Sequence, residues 1–142
     1  MALSYYPKQG EILLCDYDTG FVAPEMIKRR PVVIVSPRLR RRADLVGVVP
    51  LSTTAPQPAE PYHCELQLAR PLPRPFETPV MWAKCDMLAT VALSRLDRFR
   101  AGRSGHGAAR RYVSGQLEVD QIKRVKAAIL CGLGLDSLTI HL

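Results

Sequence analysis

Apolar residues recur at helical spacing in only one segment of this 142-residue chain, and that segment lies at its end. Charged residues occupy the other face of the segment, whose apolar positions are Val119, Ile122, Val125, Ile129 and Leu133. Gly132 and Gly134 then stop the pattern. Twelve prolines break up the sequence that precedes it. This distribution predicts short strands followed by a single terminal helix.

The other apolar runs are short and rich in β-branched residues, which is typical of strands. Pro31 opens the run VVIVS and Pro37 closes it, while alternation in YHCELQL indicates a half-buried strand. We expect strands at residues 12–15, 32–36, 45–52, 62–68 and 80–86, and a further hairpin within 94–114 around the basic tip AGRSGHGAARR. Together these elements predict one domain over residues 1–142, a small and mainly antiparallel β barrel with a C-terminal helix.

The chain is strongly basic, with 20 Lys and Arg against 13 Asp and Glu and a formal net charge of +7. Residues 117–142 hold three charges of each sign, so the whole excess lies before them. Because 15 of the cations are Arg, the composition favours phosphate-bearing partners, although genome composition can also produce such an excess. No apolar run approaches the roughly 18 residues of a membrane span, and no leader pattern opens the chain. We therefore expect a cytoplasmic protein.

Four cysteines are dispersed along the chain, without a C-x-x-C pair or a Cys/His cluster. We interpret Cys15, Cys64, Cys85 and Cys131 as reduced, buried thiols. The sequence predicts neither a metal site nor a cofactor.

Four segments, in the order QGEILLCDY, KRRPVVIVSP, VGVVPLSTT and MWAKCDMLAT, resemble the MazF/PemK family of toxins from bacterial toxin–antitoxin systems. The likeness extends from about Gly10 to the C-terminal helix. It implies an SH3-like barrel, a homodimer and a metal-independent, sequence-specific endoribonuclease of single-stranded RNA that a cognate antitoxin protein silences. The loop 18–29, which covers the RNA groove in the family, departs from the Gly-rich version of many relatives and leaves the cleavage motif open.

Metal-independent RNA cleavage needs a group that helps deprotonate the 2′-hydroxyl, a cation for the phosphorane and a donor for the leaving 5′-oxygen. The three histidines lie in a strand (His63), on a Gly-rich tip (His106) and beside the end of the chain (His141). This scatter disfavours a two-histidine mechanism. It directs attention to arginine, hydroxyl and carboxylate groups.

The resemblance implies that Arg30 is catalytic, since the Arg-Pro pair opening the second strand is where the family places its catalytic arginine. Pro31 biases Arg30 towards an extended conformation. Ser52 and Thr53 lie where the family carries a phosphate-binding hydroxyl, and which of the two serves is open. The alternatives are that Arg30 belongs to a solvated KRR loop and that the two hydroxyls merely start a loop.

Lys84 and Asp86 flank Cys85, and strand alternation would place them on one face. The resemblance implies that Lys84 replaces a family arginine and that Asp86 is a candidate base. The alternatives are a cross-strand salt bridge and a structural aspartate. Trp82 shares the face and is a candidate for stacking on a base, or for a place in the core or a dimer interface.

Further RNA-binding candidates are Lys28, Arg29, Arg38 and Arg40. Two basic clusters surround the proposed site: the first is Arg38, Arg40, Arg41 and Arg42, and the second is Arg95, Arg98, Arg100, Arg103, Arg110 and Arg111. They either track an RNA strand or form a solvated face, and the second is equally compatible with anchoring an acidic antitoxin segment.

Two other classes of function compete with the nuclease. One is a noncatalytic toxin of the same fold that poisons DNA gyrase through its C-terminal residues, and the other is a nucleic-acid-binding module without activity. The presence of Arg30, Pro31 and Ser52, together with a C-terminal LTIHL that lacks an aromatic residue, favours the nuclease.

Overall fold

The computed structural model describes residues 3–102 and 111–142, which form a mainly antiparallel β structure with one C-terminal α-helix. The expected mainly antiparallel β structure with one C-terminal helix is therefore confirmed. The strands are β1 (Glu11–Asp16), β2 (Arg29–Ile34), β3 (Leu45–Ser52), β4 (His63–Gln67), β5 (Val80–Lys84), β6 (Ala89–Ala92), β7 (Leu96–Asp97), β8 (Phe99–Ala101), β9 (Arg111–Val113) and β10 (Gly115–Gln116), and helix α1 (Val119–Gly132) follows. Short 3-10 turns occupy Cys85–Met87, Leu93–Arg95 and Asp136–His141.

The main sheet has the strand order β10-β1-β2-β3-β5-β4. In addition, β6 pairs with the first half of β3 and β7 pairs with β1, while β8 and β9 form a separate hairpin. The turn Leu93–Arg95 joins β6 to β7, so the chain crosses from β3 to β1 over one face of the sheet. Among the described strands, the hydrogen-bonded path runs openly from β10 to β4 rather than closing into a barrel.

Two hydrophobic cores lie on opposite faces of this sheet. The first, here the helix-side core, packs against α1 and includes Val33, Val49, Leu51, Met81 and Val125. The second, here the crossover core, lies beneath β6 and β7 and includes Leu13, Val32, Ile34, Val48 and Val91. Because β2 and β3 serve both cores, their sequences are nearly continuous apolar runs and do not alternate.

Local signals set both ends of α1. At its start, the Glu118 N–H donates to Oε1 of Gln121 at 2.9 Å, one half of a capping box. At its end, Gly134 adopts a φ of 73°, and the Leu135 N–H donates to the Leu130 carbonyl at 2.8 Å, as in a Schellman motif. The predicted apolar stripe is only partly right. Val125 is buried, but Val119 is 78% exposed and Leu133 is 59% exposed, because the helix extends beyond the core at both ends.

Several predicted bounds are wrong. Strand β2 begins at Arg29, two residues before Pro31, because its pairing with β1 continues to Asp16. Strand β5 ends at Lys84, and β6 was not expected at all. The region 94–114 contains the expected hairpin as β8 and β9, whereas β7 in the same region and β10 just after it pair with β1. The basic tip with Arg103, His106 and Arg110 lies outside the described residues.

Candidate active site

Arg30 lies inside strand β2, paired with Cys15 of β1, and its neighbour Arg29 pairs with Asp16. The Arg30 side chain is half-buried, whereas Arg29 is exposed. The Nε of Arg30 donates a hydrogen bond to the Ile27 carbonyl at 3.2 Å. Arg30 is thus held by the sheet and by the preceding loop and does not belong to a freely solvated run of cations.

The register of the sheet brings Arg30 to the level of Ser52. Strands β2 and β3 pair Val32 with Pro50, and continuing this antiparallel register by two residues sets Arg30 opposite Ser52. Ser52 in turn pairs with Trp82 of β5. Directly paired residues share a face, so Ser52 and Trp82 lie side by side, and the continued register adds Arg30 to a row across three strands.

The row lies on the face that carries the crossover core, beyond the first half of β3 with which β6 pairs. Leu51 and Ala83, which neighbour Ser52 and Lys84 in sequence, point the other way into the helix-side core. Ser52, Trp82 and Lys84 are half-buried, so a ligand has access to them. Lys84 lies two residues along β5 from Trp82 and therefore shares its face.

Ser52 is the last residue of β3, and its hydroxyl organises the turn that follows. Its Oγ accepts the Thr54 N–H at 3.1 Å and lies 3.2 Å from the Thr54 carbonyl. Thr53 follows the end of the strand and is exposed. Of the two candidate hydroxyls, only that of Ser52 belongs to the row that contains Arg30.

The structure corrects the expected place of Asp86. The chain leaves the strand at Lys84 and turns, because the Cys85 N–H donates to the Tyr62 carbonyl at 3.0 Å and the Cys85 thiol lies 3.7 Å from the Val125 carbonyl. Asp86 is exposed in this turn, so strand alternation does not align it with Lys84. The two side chains form no ion pair in the described part of the chain.

The candidate RNA-binding cations lie at both ends of the sheet. Lys28, with a φ of 72°, and Arg29 are exposed beside Arg30. Arg38 and Arg40 are exposed in the loop after β2, at the opposite end of the strand from Arg30. The guanidinium of Arg38 lies 5.7 Å from the centre of the Tyr6 ring. The structure therefore does not bring Arg38 and Arg40 into the row with Ser52.

Two arginines of the second basic cluster have partners within the protein. Arg95 donates hydrogen bonds to the carbonyls of Asp16 and Thr19, at 2.9 and 2.7 Å. Arg98 lies 5.4 Å from the centre of the Tyr112 ring. The sequence offered no signal for these contacts, since 79 residues separate Arg95 from Asp16.

The histidines are not grouped among the described residues. His63 accepts the Glu60 N–H on Nδ1 at 2.9 Å, and His141 is exposed near the end of the chain. No cluster of three or more His, Cys, Asp or Glu side chains suited to a shared metal ion occurs within residues 3–102 and 111–142. Over the same ranges, no helix is both long and apolar enough to cross a membrane.

All four cysteines are free thiols, but they are not equally buried. Burial raises the pKa of Cys15 to about 12 and that of Cys85 to about 12, and it also raises the pKa of Cys64. These three are protonated, weakly nucleophilic thiols. Cys131 is only half-buried, so the prediction of four buried thiols is wrong at this position.

The described fold is a small antiparallel sheet with an arginine and a hydroxyl at the same level of neighbouring strands. A model of the family of PemK-like, MazF-like toxins of type II toxin–antitoxin systems matches residues 8–131. The chain belongs to this family, as its resemblance to MazF/PemK toxins implied.

The protein YifN of Escherichia coli (strain K12) is 29% identical over 156 residues, which span 97% of this chain and 99% of that protein. The fold is similar to that of an endoribonuclease from Mycobacterial species, with a TM-score of 0.61, 20% identity and coverage of 92% of this chain and 94% of the other. It is also similar to the Mycobacterium tuberculosis toxin MazF-mt6, with a TM-score of 0.59, 21% identity and coverage of 88% and 97%.

Proposed function

We propose that the protein is a toxin that cleaves single-stranded RNA endonucleolytically and without a metal ion. The proposal is supported by the observed pair of Ser52 with Trp82, and by the register of β2 with β3, which when continued by two residues adds Arg30 to the same row. A cation, a hydroxyl and an aromatic ring that share one face and are each partly exposed match the needs of a phosphate and an adjoining base. Membership in the toxin family supports the same reading.

In the proposed reaction, the 2′-hydroxyl oxygen attacks the adjacent phosphorus while the bond from phosphorus to the 5′-oxygen breaks. Asp86 accepts the proton of the 2′-hydroxyl, and the departing 5′-oxygen takes a proton from water. The products are a 2′,3′-cyclic phosphate and a 5′-hydroxyl. Asp86 is assigned as an exposed carboxylate in the turn directly after Lys84, and its replacement by Asn tests this assignment.

Arg30 stabilises the charge that develops on the nonbridging phosphate oxygens, with Ser52 as a second hydrogen-bond donor. Lys84 adds a positive charge without the paired N–H groups of a guanidinium, so its contact to phosphate is less directional. Trp82 stacks on a base next to the scissile bond. Lys28 and Arg29 bind neighbouring phosphates at the same strand ends.

Arg38 and Arg40 are proposed to bind RNA beyond the catalytic row. Strand β2 rises about 3.3 Å per residue, so the four steps from Arg30 to Ile34 already span about 13 Å before the loop that carries Arg38 and Arg40 begins. They therefore contact nucleotides that are several positions from the scissile bond.

The proposed partners are a cytoplasmic antitoxin protein, whose acidic and apolar segment covers the RNA groove, and a second copy of this chain. An interface with a second copy of this chain is supported by exposed apolar side chains, which are Leu88, Leu133, Leu135, Leu138, Ile140 and Leu142. Sedimentation at micromolar concentration measures the dimer directly. A monomer at that concentration would contradict it.

The test of the function is cleavage of a long single-stranded RNA by the purified protein in excess EDTA, with both product ends analysed. We expect cleavage that leaves 5′-hydroxyl and 2′,3′-cyclic phosphate ends. Cleavage that EDTA abolishes would refute the metal-independent mechanism. Absence of cleavage with and without metal would favour gyrase poisoning or a binding module, which supercoiling and RNA-binding assays then distinguish.

A further inference from the structure

Arg95 is half-buried against the end of β1 and the loop that joins β1 to β2. Its Nη1 donates to the Asp16 carbonyl at 2.9 Å and to the Thr19 carbonyl at 2.7 Å. Its guanidinium carbon lies 4.9 Å from the centre of the Phe21 ring. A methyl group on Gly20 would lie 3.4 Å from its Nη2. Arg95 thus lies against the end of β1 at Asp16 and against three consecutive loop residues, Thr19, Gly20 and Phe21.

The same loop holds Arg30 at its other end. The Tyr17 N–H donates to the Lys28 carbonyl at 2.9 Å, which closes the base of the loop. Tyr17 is buried and packs edge-to-face on Phe21, with ring centres 5.0 Å apart. The Ile27 carbonyl then accepts the hydrogen bond from Nε of Arg30 at 3.2 Å. The position of the Arg30 guanidinium therefore depends on the shape of the loop.

We propose that Arg95 is a positioning residue, which fixes the β1–β2 loop and through it the guanidinium of Arg30. The proposal rests on the proposed ribonuclease function. Arginine suits this role because one planar group can bind two carbonyl oxygens and stack on an aromatic ring at once. A lysine ammonium has donors for the two carbonyl oxygens but no planar group that could stack on the Phe21 ring at the same time. Arg95 faces the protein and does not serve as a cation for RNA.

Kinetics separate positioning from RNA contact. In Arg95→Met, which keeps most of the aliphatic stem, we expect kcat to fall about 10- to 100-fold while KM changes less than about twofold, because misplaced groups mainly cost transition-state stabilisation. The dependence of KM on salt should match that of the wild type. If Arg95 binds phosphate instead, Arg95→Met raises KM, and the slope of log KM against log salt concentration falls by about 0.7. That result would overturn the proposal.

Coupling to Arg30 supplies a second test. Arg30→Lys lacks the Nε donor to Ile27, so the loop can no longer position this side chain through that bond. Adding Arg95→Met to Arg30→Lys should therefore reduce kcat by less than about a further twofold. Full additivity of the two losses would show that Arg95 acts independently of Arg30, contrary to the proposal. Arg95→Lys should show the same direction of change and serves in place of Arg95→Met if that variant does not fold.

Limited trypsin digestion tests the loop without any assay of activity. Cleavage after Lys28 and Arg29, mapped by mass spectrometry, should be about tenfold faster in Arg95→Met than in the wild type. Arg98→Met is the matched control, since Arg98 stacks on Tyr112 and should leave this cleavage unchanged. Wild-type cleavage rates in Arg95→Met would overturn the inference. If the wild type proves inactive on RNA, the proposed function fails, while the digestion still decides whether Arg95 fixes the loop.

Discussion

Gly10 lies where β1, β2, β10 and α1 meet, and its replacement by alanine should destabilise the protein. Its N–H donates to the Ile34 carbonyl at 2.7 Å, and its carbonyl accepts the Leu117 N–H at 2.9 Å. Both backbone groups are therefore fixed. Its φ is +90°, and an added Cβ would lie 2.5 Å from Cδ1 of Ile122 and 2.7 Å from Nε2 of Gln116.

Two costs add in Gly10→Ala. The positive φ costs a residue with a Cβ about 1–2 kcal/mol. Displacing the Ile122 and Gln116 side chains costs about 1–3 kcal/mol, as overpacking usually does. We therefore expect a loss of about 2–5 kcal/mol in the free energy of unfolding, and a fall in Tm of about 10 °C for a chain of this size.

The matched control is Gly134→Ala, where φ is +73° but nothing lies within 4 Å of the added Cβ. Gly134→Ala introduces backbone strain but no crowding, so its free energy of unfolding should fall by about 1 kcal/mol. Urea unfolding at one protein concentration measures both variants. Equal losses in the two variants would show that the crowding against Ile122 contributes nothing, and an unchanged Gly10→Ala would refute the reasoning altogether.

Three further predictions concern the site and the thiols. Ser52→Ala should lower kcat about 100-fold, the usual effect of removing one donor to a developing oxyanion, and a loss below about threefold in single-turnover cleavage would remove Ser52 from the mechanism. Changing the three exposed arginines at 40–42 to Ser should reduce the slope of log K for RNA binding against log salt concentration by about 2. Matched Ser replacements of the exposed cations at 8, 70 and 123 should leave this slope unchanged. Burial raises the pKa of Cys15 and Cys85 from 9.0 to about 12, so the unfolded state loses these protons at lower pH than the folded state does. The free energy of unfolding should therefore be highest below pH 9 and fall between pH 9 and 12. Equal free energies from urea unfolding at about pH 8 and about pH 10.5 would contradict this.

The sequence allowed the strands to be located because their local pattern is strong. Strand β3 has the expected bounds, and in β4 the alternation correctly separated buried Cys64 and Leu66 from exposed Glu65. Helix α1 was visible from its spacing, and Gly134 marks its end. These features depend on residues within one or two turns of each other, which is the range that a local pattern reports.

Long-range contacts account for what was missed. Asp86 was assigned to a strand because alternation was extended past Lys84, whereas contacts of Cys85 with Tyr62 and Val125 turn the chain there. Arg95 was counted among surface cations because its partners lie 76 and 79 residues away. The place of each residue depends on tertiary packing, which no short segment of sequence encodes.

Register explains why the proposed site could be anticipated only in part. The residue types at positions 30 and 52 were evident from the sequence. Whether these two residues lie opposite each other depends on which residue of β2 pairs with which residue of β3. A shift of one residue would turn Ser52 to the helix-side core and bring Thr53 to the face of Arg30. The register of β2 with β3, when continued by two residues to Arg30, supports the proposal that Ser52 rather than Thr53 binds the phosphate.

In the proposed reaction, Arg30 stabilises the transition state of RNA cleavage. The most direct measurement compares single-turnover cleavage of one RNA in excess EDTA by the wild type, by Arg30→Ala and by Arg70→Ala, which removes the same charge from an exposed site outside the row. We predict that Arg30→Ala loses at least about 100-fold in rate while keeping its fold, and that Arg70→Ala cleaves like the wild type. Cleavage by a folded Arg30→Ala protein at the wild-type rate would contradict the account.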